Sequence, residues 1–119
     1  MAMSSIEHTV KEHFDKRAPE VAATYKKILK AARSLGPVRE EAKKTSIHLV
    51  RKTAFAGVAT RKTALILTLK SATDLSSSRI AKREQASANR WHLELRLVAP
   101  EEVDQELVTW IKNAYELAG

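Results

Sequence analysis

The sequence has no cysteine and only three glycines and three prolines in 119 residues. Without cysteine, disulfides, thiolate nucleophiles and Cys-ligated metals are excluded, and the chain reads as a cytoplasmic protein. Gly36, Gly57 and Gly119 lie far apart. A phosphate-cradling loop needs neighbouring glycines, because only glycine lets backbone approach phosphate in tight positive-φ conformations. P-loops, dinucleotide fingerprints, kinase loops and Gly-x-Ser-x-Gly elbows are therefore missing, and so is a His-Glu-x-x-His zinc pair. No apolar run approaches the ~18 residues of a membrane span. Met1-Ala2-Met3-Ser4 lacks the charged start and apolar middle of a signal peptide, and no membrane partner is expected. Aromatic residues make up only 5% of the chain, too few for a sheet that stacks bases.

What is present suits one soluble domain spanning residues 1–119: 44% hydrophobic and 29% charged residues. A helical N-terminal part is expected over 4–36, in two helices. Ser4 and Glu7 are spaced as a capping box, with Ile6, Val10 and Phe14 at helical intervals. Pro19 opens the second helix, whose stripe is Val21, Tyr25, Ile28, Leu29, Ala32 and Leu35. Gly36 is placed to close it in a left-handed cap, with Pro37 blocking continuation.

Beyond Pro37 the period changes to alternation, and a sheet is expected over 38–98. Ile47 and Leu49 oppose Ser46 and His48; Leu65, Leu67 and Leu69 alternate with Ile66, Thr68 and Lys70. Trp91 to Leu97 is apolar at every odd position, so one face is buried and the other wet, as in an antiparallel sheet. Phe55 to Ala59 reads as a strand in which Gly57 marks a bulge or a close backbone approach, and Val38 to Ala42 as a weaker one. Residues 71–90 read as a long connection, with Ser76-Ser77-Ser78 placed to cap a short helix. A final helix over 100–118 opens at Pro100 and buries Val103, Leu107, Trp110, Ile111, Ala114 and Leu117. The expected fold is two-layer α+β: four to five antiparallel strands with two N-terminal helices and one C-terminal helix on one face.

Charge is uneven. Residues 43–96 carry 12 basic and 3 acidic side chains, a net of +9 in a chain whose total is +7. The doublets Lys43-Lys44, Arg51-Lys52, Arg61-Lys62 and Lys82-Arg83 fall at or near strand ends, where several would gather at one rim and attract an anion. Lys43, Lys44, Arg51, Lys52, Arg61 and Lys62 are thus the candidate anion-binding residues. Trp110 and Tyr115 are candidates for a protein interface or a homodimer, against the plainer reading that they pack in the core. His48 and His92, with Glu94 and Arg96 on the same face, would suit a metal-dependent enzyme. Ordinary solvent-facing strand residues explain them as well, and neither a catalytic motif nor a cofactor is indicated. Three functions stay open: a non-enzymatic protein- or ligand-interaction domain, a nucleic-acid or other polyanion-binding module, and the metal enzyme.

His13-Phe14, Pro19-Glu20-Val21, Tyr25, Leu35-Gly36-Pro37, Lys43-Lys44-Thr45, Phe55-Ala56-Gly57-Val58 and Pro100-Glu101-Glu102-Val103-Asp104, followed by Leu107, Trp110 and Ala114-Tyr115, occur in order. On these residues the chain resembles the bacterial domain-of-unknown-function family 5655 over about 7–118. The resemblance implies a small α+β domain, alone or appended to other modules, and assigns no catalytic residue. The glycine that often follows the His-Phe pair in that family is missing here, where the segment reads Asp15-Lys16-Arg17-Ala18.

Overall fold

The computed structural model describes residues 9–119. Six strands form one sheet: β1 (Arg39–Ala42), β2 (Ile47–Val50), β3 (Ala54–Thr60), β4 (Leu65–Ser71), β5 (Lys82–Ser87) and β6 (Arg90–Leu97). Every pairing is antiparallel, and the order across the sheet is β1-β2-β3-β4-β6-β5. Two α-helices, α1 (Pro19–Arg33) and α2 (Gln105–Leu117), complete the two-layer α+β fold. No helix among the described residues is long and apolar enough to cross a membrane.

Alternation dictates which sheet face the helices cover. Leu65, Leu67 and Leu69 pair in register with Leu97, Leu95 and Leu93, and all six are fully buried. They meet Val21, Tyr25, Ile28 and Ala32 of α1 and Leu107, Ile111 and Ala114 of α2 in one core cluster. Both helices present the stripe that a 3.6-residue period requires.

Several boundaries differ from the sequence expectation. The Ser4–Glu7 capping box lies outside the described residues. Thr9 and Glu12 form a reciprocal box of their own, Thr9 N–H to Glu12 Oε1 at 2.9 Å and Glu12 N–H to Thr9 Oγ1 at 3.2 Å. It opens a short 3₁₀ helix over Lys11–Phe14, so the described N-terminal part holds one α-helix, not two. Phe14 to Arg17 then form a type II turn. Asp15 has φ −60° and ψ 133°, Lys16 has φ 60°, and the Arg17 N–H donates to the Phe14 carbonyl at 3.2 Å. Lys16 therefore occupies the position where glycine is strain-free, at a cost of roughly 1 kcal/mol.

Helix α1 ends at Arg33, and Gly36, at φ 152°, turns the chain towards β1. A Cβ on Gly36 would lie 2.4 Å from the Tyr115 hydroxyl oxygen, so the position demands glycine sterically as well as conformationally. The β-bulge opposite Leu49 and Val50 falls at Phe55, which turns inward beside Ala56; Gly57 is in regular register, with only His48 Cδ2 near its missing side chain, at 4.0 Å. Pro100 opens a 3₁₀ turn, Pro100–Glu102, and α2 starts later, where Asp104 accepts the Leu107 N–H at 3.0 Å.

The largest correction concerns residues 71–90. No helix follows the serines; β5 forms a hairpin with β6 and becomes an edge of the sheet. Its six residues, Lys-Arg-Glu-Gln-Ala-Ser, are all exposed, so no buried face imposes an apolar period on them. The preceding loop is pinned by Arg79, which donates to Asp104 (2.9 Å), Glu106 (3.0 Å) and the Glu102 carbonyl (2.7 Å). Ile80 is buried beneath it.

Candidate functional site

Three hairpin turns carry nearly the same tetrapeptide: Lys43-Lys44-Thr45-Ser46, Arg51-Lys52-Thr53-Ala54 and Arg61-Lys62-Thr63-Ala64. Antiparallel order decides where they go. The β1–β2 and β3–β4 turns lie at one end of the sheet and the β2–β3 turn at the other. The six candidate anion-binding residues are therefore not one cluster. Lys43, Lys44, Arg61 and Lys62 share an end, here called the lysine end, while Arg51 and Lys52 stand on the opposite, tyrosine end.

At the tyrosine end the turn is structural. Arg51 Nη1 donates to the Tyr115 carbonyl at 3.1 Å, and its guanidinium lies 4.4 Å from the Tyr115 ring centroid. The Lys52 N–H donates to the Ala118 carbonyl at 3.3 Å. Carbonyls in the last turn of a helix have no intrahelical partner and carry its negative dipole end. The β2–β3 turn adds donors and positive charge there, the Tyr115 carbonyl accepting from Arg51 as well as from the Ala118 N–H at 3.1 Å. Tyr115 is 4% exposed, its hydroxyl donates to the Pro37 carbonyl at 3.1 Å, and its ring meets Phe55 edge-on at 5.3 Å. It is a core residue rather than a surface for a partner. Trp110 is half-buried, with the Arg79 guanidinium 5.8 Å from its ring centroid.

At the lysine end the two turns are near copies in geometry as well as sequence. Lys43 N–H donates to the Ser46 carbonyl and Arg61 N–H to the Ala64 carbonyl, both at 2.7 Å. The turn centres are about two strand spacings apart, roughly 10 Å. Residues 13–18 tie them together. His13 Nε2 lies 2.8 Å from the Lys43 carbonyl, the Thr60 hydroxyl donates to the His13 carbonyl, and Ala18 N–H donates to the Lys62 carbonyl at 2.8 Å. Arg17 Nε donates to Thr60 Oγ1 at 3.1 Å.

This segment brings Lys16 and Arg17 to the same end, two cations the sequence reading did not select. Lys16, Lys44, Arg61 and Lys62 are exposed and form no ion pair among the described residues. Lys43 reaches Glu41 at 3.6 Å, and Glu41, drawn mainly by Arg39, is held below the usual carboxylate range. Against the cations stand Glu12, Asp15 and Glu41. The signal for this assembly was in the sequence, in the recurrence of a basic-Lys-Thr tetrapeptide at successive hairpins. Which copies meet was not.

The wet face of the sheet holds a second feature. His48, Gly57, Thr68 and Glu94 lie in one cross-strand row, with His92 beside Lys70 in the next. A shallow trough of about 320 Å³ opens over β3, lined by Ser46, His48, Gly57, Thr68, Lys70 and His92. His48 and His92 share it but do not converge. Strands β3 and β4 separate β2 from β6, about 14 Å of sheet. Two nitrogens on one zinc ion lie within about 4 Å of each other. No group of three or more His, Asp or Glu among the described residues is placed to hold a metal.

No curated protein and no solved structure matches the chain. Residues 10–118 match the sequence model of a family described as a domain of unknown function. That match takes in both helices, all six strands and both ends of the sheet, and by it the chain belongs to the family DUF5655.

Proposed function

We propose that the domain is a non-enzymatic interaction module whose lysine end contacts the phosphate backbone of a nucleic acid. The observation that carries this reading is the meeting of the two equivalent basic turns at one end, with Lys44, Arg61 and Lys62 exposed and without an ion pair among the described residues, the Arg61 guanidinium donating only to the Thr60 carbonyl. Each turn offers two cations followed by a threonine hydroxyl, the donor chemistry that phosphate oxygens accept. No ring lies among these residues, so the contact reads phosphates rather than bases and is sequence-independent.

The test is a salt titration of binding to mixed-sequence DNA and RNA by fluorescence anisotropy. Affinity is expected at low salt and falls steeply as salt rises. Replacing Lys44 and Lys62 together by alanine lowers the slope of log affinity against log salt by about two. Absence of binding at low salt overturns the reading.

A further inference from the structure

We propose that Lys16 is a binding residue of the lysine end, kept in a left-handed conformation because its ammonium joins those of the two basic turns on the ligand's phosphates. The inference rests on the phosphate-contact reading above and adds to it a residue outside the hairpins. Lys16 is the only non-glycine residue with positive φ among the described residues, and it stands third in a type II turn, the place that favours glycine or asparagine. Asparagine and aspartate tolerate that conformation through local hydrogen bonds of a short side chain; lysine has no such compensation.

The surrounding structure fixes the turn regardless. Arg17 is held on Thr60, and Ala18 on the Lys62 carbonyl, within two residues of Lys16. The same bonds place Lys16 beside one basic turn, while His13 anchors the segment's other end to the Lys43 carbonyl. Lys16 is exposed and forms no ion pair among the described residues. Its ammonium has no charged partner in the fold, while its backbone costs stability. Residues held in sparsely populated conformations cluster at binding sites, where the side chain has a use outside the fold.

The experiment sets stability against affinity in the full chain. Lys16→Gly relieves the turn and is expected to raise Tm by about 4 °C while weakening binding to a mixed-sequence DNA duplex about fivefold at low salt. The slope of log affinity against log salt falls by about one. Lys16→Asn keeps the turn and loses the charge, so its affinity matches that of the glycine variant; Lys16→Arg retains wild-type affinity. A glycine variant that melts higher and binds like wild type overturns the assignment, because the charge then does no binding. A variant that melts no higher also overturns it, because there is no strain to explain. If the wild-type protein itself shows no affinity, the proposed function fails first and this inference with it; if wild type binds and the variants bind equally, only Lys16 is lost.

Discussion

Arg51-Lys52-Thr53-Ala54 and Arg61-Lys62-Thr63-Ala64 are identical tetrapeptides at opposite ends of one strand, β3, and they do different work. The first faces the end of α2, where its arginine lies on the Tyr115 ring and donates to a helix carbonyl. The second faces the 13–18 segment, which uses the Lys62 backbone and leaves both side chains exposed, with the Arg61 guanidinium donating only to the neighbouring Thr60 carbonyl at 3.2 Å. Local sequence supplies charge and a turn; the neighbour across the gap decides whether the charge is consumed. A basic turn that caps a helix belongs to the fold, and one that meets only backbone stays available to a ligand.

The largest way to break this contrast is at the tyrosine end. Gly36→Ala puts a Cβ onto the Tyr115 hydroxyl at a positive φ, and is expected to cost about 3 kcal/mol or more in urea denaturation. Gly57→Ala, in regular strand with open space beside it, should be neutral or gain up to about 0.5 kcal/mol. Equal costs at the two glycines would mean that Tyr115 is not the fixed point of that end.

Arginine replacement sharpens the contrast directly. Arg51→Ala should cost about 2 kcal/mol through the lost helix-end hydrogen bond and ring contact, leaving nucleic-acid affinity unchanged. Arg61→Ala should stay within about 0.5 kcal/mol of wild type and weaken binding instead. Matching profiles for the two variants would dissolve the distinction between the ends.

The smallest effect is pH-dependent. Burial, then the hydrogen bond to the Glu40 carboxylate (2.5 Å), hold the Tyr25 phenol well above its ordinary value near 10. The fold favours the neutral phenol, so this stability is complete below the unfolded value and is lost as pH rises past about 10. The urea midpoint should decline on that alkaline limb. Tyr25→Phe should flatten the decline and cost about 1 kcal/mol at neutral pH. An unchanged limb in the variant would place the alkaline sensitivity elsewhere.

Elements with a buried face were legible in the sequence, because burial on one side writes a period into the residues. Helix α1, β2, β4 and β6 follow from their apolar spacing alone, and Pro19 marks the start of its helix. Strand β5 was not legible: its side chains all face water and its pairing is made by backbone. The Phe55 bulge escaped for a related reason, since the extra residue is set by the turn joining β2 to β3 and glycine is not needed to make it.

The candidate site divides along the same line. The amino-acid sequence determined the class of fold, the leucine face of the sheet and the excess of cations between residues 43 and 96. Only the tertiary structure decided which cations meet. Antiparallel hairpins send alternate turns to opposite ends, and whether a turn's charge is spent depends on which helix terminus or chain segment packs against it, as Arg51 meets Tyr115 across 64 residues of chain.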